Sequence, residues 1–587
     1  MFKLFKKLGK KQLIYSLICI LFVAANVFFE LKIPDYMSEI TVLVQTKGSK
    51  ISDILLQGTY MMICAFGSLI ASFIVGYFAS IIASYFGKIT RKNIFEKVGK
   101  FSMKEIKSFS TASLITRTTN DVTQVQMFIS FGLQALIKAP IMATWAVIKI
   151  SGKNFSWSFA TLIGVIILLI TISIIMFKVF PKFKIVQKLT DNLNRITREN
   201  LTGIRVIRAY NAEGYQQKKF EEANEELKNT QLYNQRLLGL MSPVMSLVSS
   251  TLTLSIYFIG AILINKANLY DRLNLFGDMV VFSSYAMQVI MSFMMLIMIF
   301  IIYPRASISA NRILEVLETK EEIKDGEVLE GKEKGTVEFK NVSFKYPDAE
   351  ENILENISFK VNKGETVAFI GSTGSGKSTL INLVPRFYDA TDGEVYVNGI
   401  NVKDYKLEAL NNVLGYVPQK AVMFKATVKE NVSYGNNGKE EISDKKIKEA
   451  IKIAQGTDFV EKMENKYDSL VARGGTNISG GQKQRLAIAR AIAKDPEIYI
   501  FDDSFSALDY KTDYILRKEL KEYTKDATTL IVAQRIGTII DADRIYVLDE
   551  GKLVGVGTHE ELLKTCEVYK EIALSQLDEE ELNNASR

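Results

Sequence analysis

Long uncharged apolar runs fill much of the first half of the chain and limit its fold more strongly than any other feature. The longest, from Ile54 to Gly87, contains 34 residues without a charged side chain. About 20 such residues allow a helix to cross a bilayer, where backbone hydrogen bonds must be satisfied within the segment. A soluble domain would not bury so many long helices. We therefore predict six transmembrane helices within residues 1–305, at 13–33, 54–87, 127–150, 157–177, 237–264 and 279–303.

Lysine and arginine residues are concentrated in alternate connections between these spans. The N-terminal flank with Lys3, Lys10 and Lys11 is basic, as are the long connections 88–120 and 178–236. The positive-inside rule then predicts a multi-pass protein of the plasma membrane, with the N-terminus and the C-terminal domain in the cytoplasm. The first span lacks a small-residue cleavage site, so we expect it to be retained. The net charge of +8 follows from this topology and requires no nucleic-acid partner.

A glycine-rich loop in the last third of the chain matches the phosphate-binding pattern G-x-x-x-x-G-K-[ST] without a mismatch. Its residues are Gly371, Ser372, Thr373, Gly374, Ser375, Gly376, Lys377, Ser378 and Thr379. The apolar run 367–370 before it predicts a buried strand, and the residues after it predict a helix. Backbone N–H groups at such a helix N-terminus attract phosphate. We expect Lys377 to reach the β- and γ-phosphates of a nucleotide and Ser378 to bind Mg²⁺.

Two later segments fit the same chemistry. Asp502 ends the apolar run 498–501, where a carboxylate can organise Mg²⁺ beside the glycine-rich loop. Further upstream, two glycines after a serine precede a helical pattern, which predicts a second helix N-terminus able to face a phosphate. The residues of this second site are Ser479, Gly480, Gly481 and Gln482.

With these motifs in this order, the chain resembles the ATP-binding cassette (ABC) family, whose signature is usually written LSGGQ; here Ile478 replaces the leucine. The resemblance covers essentially the whole chain. It implies an exporter-type half-transporter that uses ATP and Mg²⁺. The implied fold is an α-helical membrane domain, with six transmembrane helices and long cytoplasmic extensions, followed by an α/β P-loop NTPase domain. We place the membrane domain at 1–305, a connector at 306–334, the nucleotide-binding domain at 335–575 and an acidic tail at 576–587.

The resemblance also implies roles for single residues. Tyr346 matches the aromatic residue that stacks on adenine, with an ordinary edge-strand tyrosine as the alternative. Gln419 matches a glutamine that contacts Mg²⁺ and the coupling helices of the membrane domain, and Asp509 matches an aspartate at the dimer interface. In this family two nucleotide-binding domains form a head-to-tail sandwich. The segment 477–482 would therefore serve the ATP of a partner chain.

Two catalytic positions depart from the family pattern. Active members carry Glu after the Mg²⁺-binding Asp, as general base for the attacking water, whereas this chain has Asp503, one methylene shorter. A displacement of about 1 Å can cost roughly 10²-fold in rate. The switch position, normally His, is Gln534, whose amide cannot carry a proton or a positive charge. The single histidine, His559, lies downstream. We predict a degenerate ATP site on this chain; the alternative is that Asp and Gln are tolerated in a working site.

These substitutions predict a heterodimer. The second exporter half would supply an intact catalytic Glu and switch His, and its glycine-rich loop would meet the signature residues of this chain. The expected function is export of lipophilic small molecules or drugs from the cytoplasm or inner leaflet, in contact with membrane lipid. The alternatives are a homodimeric or regulatory ABC protein with weak hydrolysis, and a lipid or peptide exporter.

Two features of the predicted spans bear on the cargo. Lys138 lies in the middle of the third span, where a cation indicates a functional site. It can face a cavity or pair with a carboxylate such as Glu30, which we expect near the opposite interface. The last span holds methionines, whose flexible side chains suit varied apolar ligands. They are Met279, Met287, Met291, Met294, Met295 and Met298. Helix packing, lipid contact and snorkelling are the alternative explanations.

Overall fold

The computed structural model describes Lys3 and residues 9–46, 48–151, 155–436 and 442–576. These residues divide into two compact units. The helical unit contains the residues up to Gly99 together with Ala112–Thr319, and the α/β unit contains Lys100–Thr111 together with the residues from Lys320 onward. The segment Lys100–Thr111 thus belongs by its contacts to the α/β unit, although in sequence it lies between two apolar spans.

Long helices build the helical unit. In chain order, the helices of residues 10–318 are α1 (Lys10–Gln45), α2 (Ile51–Val98), α3 (Met103–Phe109, in the α/β unit), α4 (Thr111–Thr116), α5 (Val122–Ser151), α6 (Phe155–Thr202), α7 (Ile204–Ala209), α8 (Glu213–Gly239), α9 (Met241–Lys266) and α10 (Leu269–Glu318). A π-helical turn, Arg117–Asp121, joins α4 to α5.

Six helical segments of the described chain are long and apolar enough to cross a membrane, which confirms the predicted number. The predicted spans other than 237–264 each lie within one helix, in α1, α2, α5, α6 and α10. The span 237–264 begins in the last residues of α8 and continues through α9. The helices extend well beyond the apolar runs. Polar sequence such as that of α8 therefore continues the helices past the length that a bilayer requires.

Two aromatic side chains whose polar groups are hydrogen-bonded pack in the core of the helical unit. Trp157 is fully buried, and its indole Nε1 donates to the carbonyl of Ile256 at 3.1 Å. Tyr285 is also fully buried, and its hydroxyl group lies 3.0 Å from the carbonyl of Leu31 and 2.5 Å from Asp35 Oδ1. Because these donors have partners, the rings contribute packing without leaving an unpaired polar group.

Two ion pairs join α1 to α5. Lys138 Nζ lies 2.7 Å from Glu30 Oε1, and Lys149 Nζ lies 2.8 Å from Asp35 Oδ2. The side chains of Lys138 and Glu30 are 20% and 27% exposed. Of the arrangements that the sequence left open for Lys138, the structure shows the carboxylate pair. Packing of α1 on α5 brings the two side chains together; the expected position of Glu30 near the opposite interface stays a prediction.

The α/β unit contains three sheets. Their strands are β1 (Val337–Phe344), β2 (Leu354–Val361), β3 (Thr366–Gly371), β4 (Asp392–Val397), β5 (Ile400–Asn401), β6 (Leu414–Val417), β7 (Ala426–Thr427), β8 (Leu470–Val471), β9 (Ile498–Asp502), β10 (Thr528–Val532), β11 (Arg544–Asp549) and β12 (Lys552–Gly557). The strand orders are β2-β1-β4-β5, β12-β11-β3-β10-β9-β6 and β7-β8.

Parallel pairing orders the six-stranded sheet. Strand β10 pairs in parallel with β3 and with β9, β9 pairs in parallel with β6, and β12 forms an antiparallel edge on β11. Every residue of β9 and β10 is buried, as expected for strands covered on both faces. The carboxyl ends of β3, β10, β9 and β6 therefore emerge side by side along one edge of the sheet.

The remaining helices lie between and after these strands. They are α11 (Lys377–Asn382), α12 (Leu407–Val413), α13 (Val428–Ser433), α14 (Asp444–Ile453), α15 (Thr457–Val460), α16 (Gly480–Lys494), α17 (Tyr510–Tyr523), α18 (Ile536–Ile539), α19 (His559–Thr565) and α20 (Glu567–Leu574). Short 3₁₀ turns are formed by Tyr434–Asn436, Lys466–Asp468 and Arg473–Gly475. An α/β unit with a mainly parallel sheet agrees with the predicted fold class.

The Lys138–Glu30 pair leads to a stability prediction. Glu30→Gln should lower the free energy of unfolding by about 1–3 kcal/mol, because it leaves the Lys138 charge without a carboxylate in apolar surroundings. Thermal and denaturant unfolding of the chain in lipid nanodiscs would measure the change. Glu96→Gln is the control, since the Lys92–Glu96 pair is more than half exposed and should contribute about 0.5 kcal/mol or less. Equal effects of the two substitutions would contradict the prediction.

Candidate nucleotide site

The glycine-rich loop connects β3 to α11 at the carboxyl edge of the parallel sheet. Gly374 and Gly376 adopt φ values of +90° and +95°, which favour glycine because L side chains are strained there. A Cβ at Gly376 would also come within 3.0 Å of the carbonyl oxygen of Ile353. Helix α11 begins at Lys377, directly after this turn. The loop therefore presents a helix N-terminus, as the sequence predicted.

Lys377 is held inside the loop. Its Nζ donates to the carbonyl oxygens of Gly371 and Ser372, both at 2.8 Å, and to Ser375 Oγ at 3.3 Å. Burial lowers the pKa of Lys377, while the nearby charges of two carboxylates oppose that shift. An ammonium group at a helix N-terminus is suited to contact the terminal phosphates of a nucleoside triphosphate.

Two of the three residues predicted to contact Mg²⁺ lie side by side, while the third, Gln419, donates to Asp503. Ser378 Oγ donates to Asp502 Oδ1 at 2.7 Å. Burial raises the pKa of Asp502, and the charge of Asp503 adds to this effect, against the hydrogen bond from Ser378. Mg²⁺ commonly takes one or two protein oxygens and completes its shell with water and phosphate. The Ser378 hydroxyl and the Asp502 carboxylate therefore fit an ion that a nucleotide brings with it.

Asp503 accepts two amide hydrogen bonds on the same oxygen. Gln419 Nε2 and Gln534 Nε2 lie 2.9 and 2.8 Å from Asp503 Oδ2. The Asp503 backbone is in the left-handed region with φ +47°, and its N–H donates to the carbonyl of Val532 at 2.9 Å. The structure therefore brings together the three residues predicted at catalytic positions. We call these three residues the amide clamp.

Gln576, near the end of the described residues, bonds to the backbone around the switch position, Gln534. Gln576 Nε2 donates to the carbonyl of Gln534 at 2.8 Å, and the backbone N–H of Ile536 donates to Gln576 Oε1 at 2.9 Å. We expected the solvated tail to begin at Gln576, but this residue bonds to the α/β unit. The rest of the tail, 577–587, lies outside the described residues. Nothing local in sequence points to this contact, since the partners are about 40 positions apart.

Tyr346 lies next to the glycine-rich loop. Its hydroxyl is 3.0 Å from Thr379 Oγ1. Its ring makes T-shaped contacts with Phe344 and Tyr388, at centroid distances of 4.9 and 5.3 Å. These contacts hold the ring beside the loop that receives the phosphates, a position compatible with the predicted stacking on adenine.

The signature residues form a regular helix start. Ser479 Oγ accepts from the N–H of Gln482 at 3.3 Å, and the N–H of Ser479 donates to Gln482 Oε1 at 2.9 Å, which is a capping box. Apart from its chain neighbours and the nearby backbone of its own helix, no atom of the described residues lies within 4 Å of a Cβ built on Gly480. Asp509 similarly caps α17, where its Oδ1 accepts from the N–H of Thr512 at 3.0 Å. The backbone and side-chain hydrogen bonds of Thr512 hold the pKa of Asp509 below its usual value.

Comparison with known proteins gives consistent matches along the chain. The family model described as ABC transporter transmembrane region matches residues 16–293, and the one described as ABC transporter matches residues 354–506. An uncharacterized ABC transporter ATP-binding protein of Mycobacterium tuberculosis (strain ATCC 25618 / H37Rv) is 37% identical over 519 residues, covering 88% of this chain and 87% of that protein.

Other relatives carry more specific names. The ATP-dependent lipid A-core flippase of Syntrophus aciditrophicus (strain SB) is 31% identical over 514 residues, which cover 84% of this chain and 82% of the flippase. Among solved structures, that of a bacterial Atm1-family ABC exporter with ATP bound superposes with a TM-score of 0.81, at 24% identity, over 97% of this chain and 99% of the exporter chain. The last comparison shows similarity of fold.

The position of Lys377 predicts its contribution to nucleotide binding. Lys377→Ala should weaken binding of MgATP about tenfold or more, because it removes charge-assisted contacts to phosphate. Equilibrium titration of the purified chain would measure the affinity. Lys552→Ala is a matched control, since that lysine pairs with Glu355 on the surface. Equal affinities of the two variants would refute the role of Lys377.

Proposed function

The chain belongs to the ABC transporter family, and we propose that it is the degenerate-site half of a heterodimeric exporter. Its membrane and nucleotide-binding domains lie in one chain, the arrangement of an exporter half-transporter driven by ATP. Under this proposal, two such halves form the head-to-tail sandwich, with the nucleotide-binding domains and the N-terminus in the cytoplasm and the six helices of each half in the plasma membrane.

The amide clamp is the observation that carries the proposal. A general base must offer a carboxylate oxygen to the attacking water. In this chain, Gln419 and Gln534 both donate to Asp503 Oδ2. The carboxylate is also one methylene shorter than the Glu that active family members carry. An oxygen that already accepts two bonds, on a shorter side chain, is poorly placed to take a proton from water.

The switch position supports the same conclusion. Gln534 is tied through its side chain to Asp503 and through its backbone to Gln576. Its amide is neutral, so it adds no positive charge where negative charge develops on the γ-phosphate during transfer. ATP held by the glycine-rich loop of this chain would therefore stay bound for a long time and be hydrolysed slowly. The bound nucleotide would keep two nucleotide-binding domains in contact.

The signature of this chain supports an active role toward a partner. Its capping box is complete, and open space surrounds Gly480, so a phosphate from another chain can approach the start of α16. A partner half with Glu and His at the positions of Asp503 and Gln534 would form one competent site with this signature. The degenerate and competent sites would then have different tasks.

The cargo is proposed to be lipophilic. Met287, Met291, Met294 and Met298 follow helical spacing on α10, and each is more than one-third exposed within the described chain. Polarizable side chains of this kind adapt to apolar ligands of varied shape. Met279 is buried instead beside Gly260. It therefore packs in the core and is not part of the proposed cargo surface. Similarity to a lipid A-core flippase favours an amphipathic lipid as the second candidate class.

Restoring the two catalytic side chains should activate the chain on its own. Asp503→Glu combined with Gln534→His is expected to raise the ATPase rate of the purified chain in liposomes by about 10- to 100-fold, because the longer base and the ionisable ring return to the site. The same pair on a Lys377→Ala background is the control and should stay slow. If the unmodified chain alone hydrolysed ATP and transported as fast as the native complex, the heterodimer proposal would be wrong.

In the complex, hydrolysis should depend more on the signature than on Asp503. Ser479→Ala should reduce turnover severely, about tenfold or more, since it removes the cap that shapes the partner's site. Asp503→Asn should change turnover by about twofold or less, because the site it belongs to contributes little. Steady-state ATPase rates of the membrane complex would decide, and the reverse ranking would show that Asp503 is a working base.

A further inference from the structure

A lysine ammonium lies over the aromatic pair at the nucleotide site. Lys107 Nζ is 4.9 Å from the ring centroid of Tyr346 and 5.8 Å from that of Tyr388. Both tyrosines are partly buried and contact each other edge to face. A cation within about 6 Å of an aromatic face is attracted by the ring quadrupole. The distances therefore describe a cation–π contact with two rings.

Helix α3, which carries Lys107, is anchored within the α/β unit. Ser102 caps the helix, with its N–H donating to Glu105 Oε2 at 2.7 Å, and the N–H of Glu322 donates to Glu105 Oε1 at 3.1 Å. Lys104 Nζ lies 2.6 Å from Glu322 Oε1. Burial opposes ionisation of Glu105, but the hydrogen bonds from Ser102 and Glu322 keep its pKa below the usual value. A charged, bonded Glu105 thus fixes the helix from which Lys107 extends.

The Tyr346 ring is fixed as well. Its hydroxyl lies at hydrogen-bonding distance from Thr379 of the glycine-rich loop, and Phe344 and Tyr388 contact its ring. The ring therefore does not turn freely away from Lys107. A purine stacked on Tyr346 needs carbon–carbon distances of about 3.5–4 Å over one face of the ring. An ammonium group over the face that the purine uses would compete for the same surface.

We propose that Lys107 is an internal competitor of the adenine base, and that ATP displaces it from Tyr346 and Tyr388. The inference rests on the proposed role of Tyr346 in stacking on adenine. In the chain, residues 100–111 connect α2 to α4, so release of Lys107 removes one contact of a segment covalently joined to two helices of the helical unit. Through this lysine, binding of the adenine base would thereby alter the contacts of a segment that continues into the membrane domain.

The test compares nucleotide binding with binding of a ligand that lacks a base. The non-hydrolysable analogue AMP-PNP and inorganic tripolyphosphate, each with Mg²⁺, are titrated into the purified full-length chain. Lys107→Met should bind AMP-PNP about two- to fivefold more tightly than the unmodified chain, the change expected for loss of an exposed cation–π contact. Its affinity for tripolyphosphate should not change, because the phosphates contact the loop and not the tyrosines.

Lys340→Met is the matched control. It removes a lysine of the α/β unit that lies over another tyrosine, with its Nζ 4.3 Å from the ring centroid of Tyr396, and both affinities should stay as in the unmodified chain. Unchanged or weaker AMP-PNP binding by Lys107→Met would overturn the inference; weaker binding would mean that Lys107 holds the nucleotide itself. Tightening by Lys340→Met equal to that by Lys107→Met would also overturn it.

A third variant separates this inference from the assignment on which it rests. Tyr346→Leu should weaken AMP-PNP binding and leave tripolyphosphate binding intact, which also shows that the loop is folded. Unchanged AMP-PNP affinity in this variant would overturn the adenine assignment and the inference together. If Tyr346→Leu weakens AMP-PNP binding but Lys107→Met does not tighten it, the assignment of Tyr346 to adenine stands. Only the competition by Lys107 is then rejected.

Discussion

Parallel pairing of four neighbouring strands is the constraint on which the nucleotide site depends. Val532 of β10 pairs with Phe369 of β3 on one side and with Asp502 of β9 on the other. Because the carboxyl ends of parallel strands open on the same edge of a sheet, the glycine-rich loop, the Mg²⁺ carboxylate and the amide clamp converge there. The ladder that aligns them is buried and apolar. Site geometry thus rests largely on residues such as Phe369 and Val532, which play no chemical part.

Within that frame, small changes in side-chain chemistry alter what the site can do. A Glu and a His at the clamp positions would place a longer base and an ionisable ring above the γ-phosphate. This chain instead places a short carboxylate between two neutral donors, Gln419 and Gln534. The result is a hydrogen-bonded group of three side chains, and Gln576 bonds to the backbone carbonyl of one of them, Gln534. Under the proposed function, such a group would favour a long-lived bound state at one site of an asymmetric pair.

The helical unit is governed by a different constraint, the cost of charge and unpaired polarity in apolar surroundings. Lys138 and Lys149 each meet a carboxylate of α1, and the hydroxyl of Tyr285 bonds to the same helix. In the α/β unit, Lys107 lies over aromatic rings and Glu105 is satisfied by hydrogen bonds.

Much of the architecture was readable from local pattern. The six apolar spans, the strand before the glycine-rich loop and the helix start at Ser479 each depend on residues close together in the chain, where hydropathy, glycine and capping preferences act directly on the backbone. The approach of Lys138 to Glu30, the bonds from Gln419, Gln534 and Gln576, and the position of Lys107 over Tyr346 could not be read in that way. Each joins groups separated by tens to hundreds of positions. Their meeting depends on strand order and helix packing, because only these place distant side chains at bonding distance.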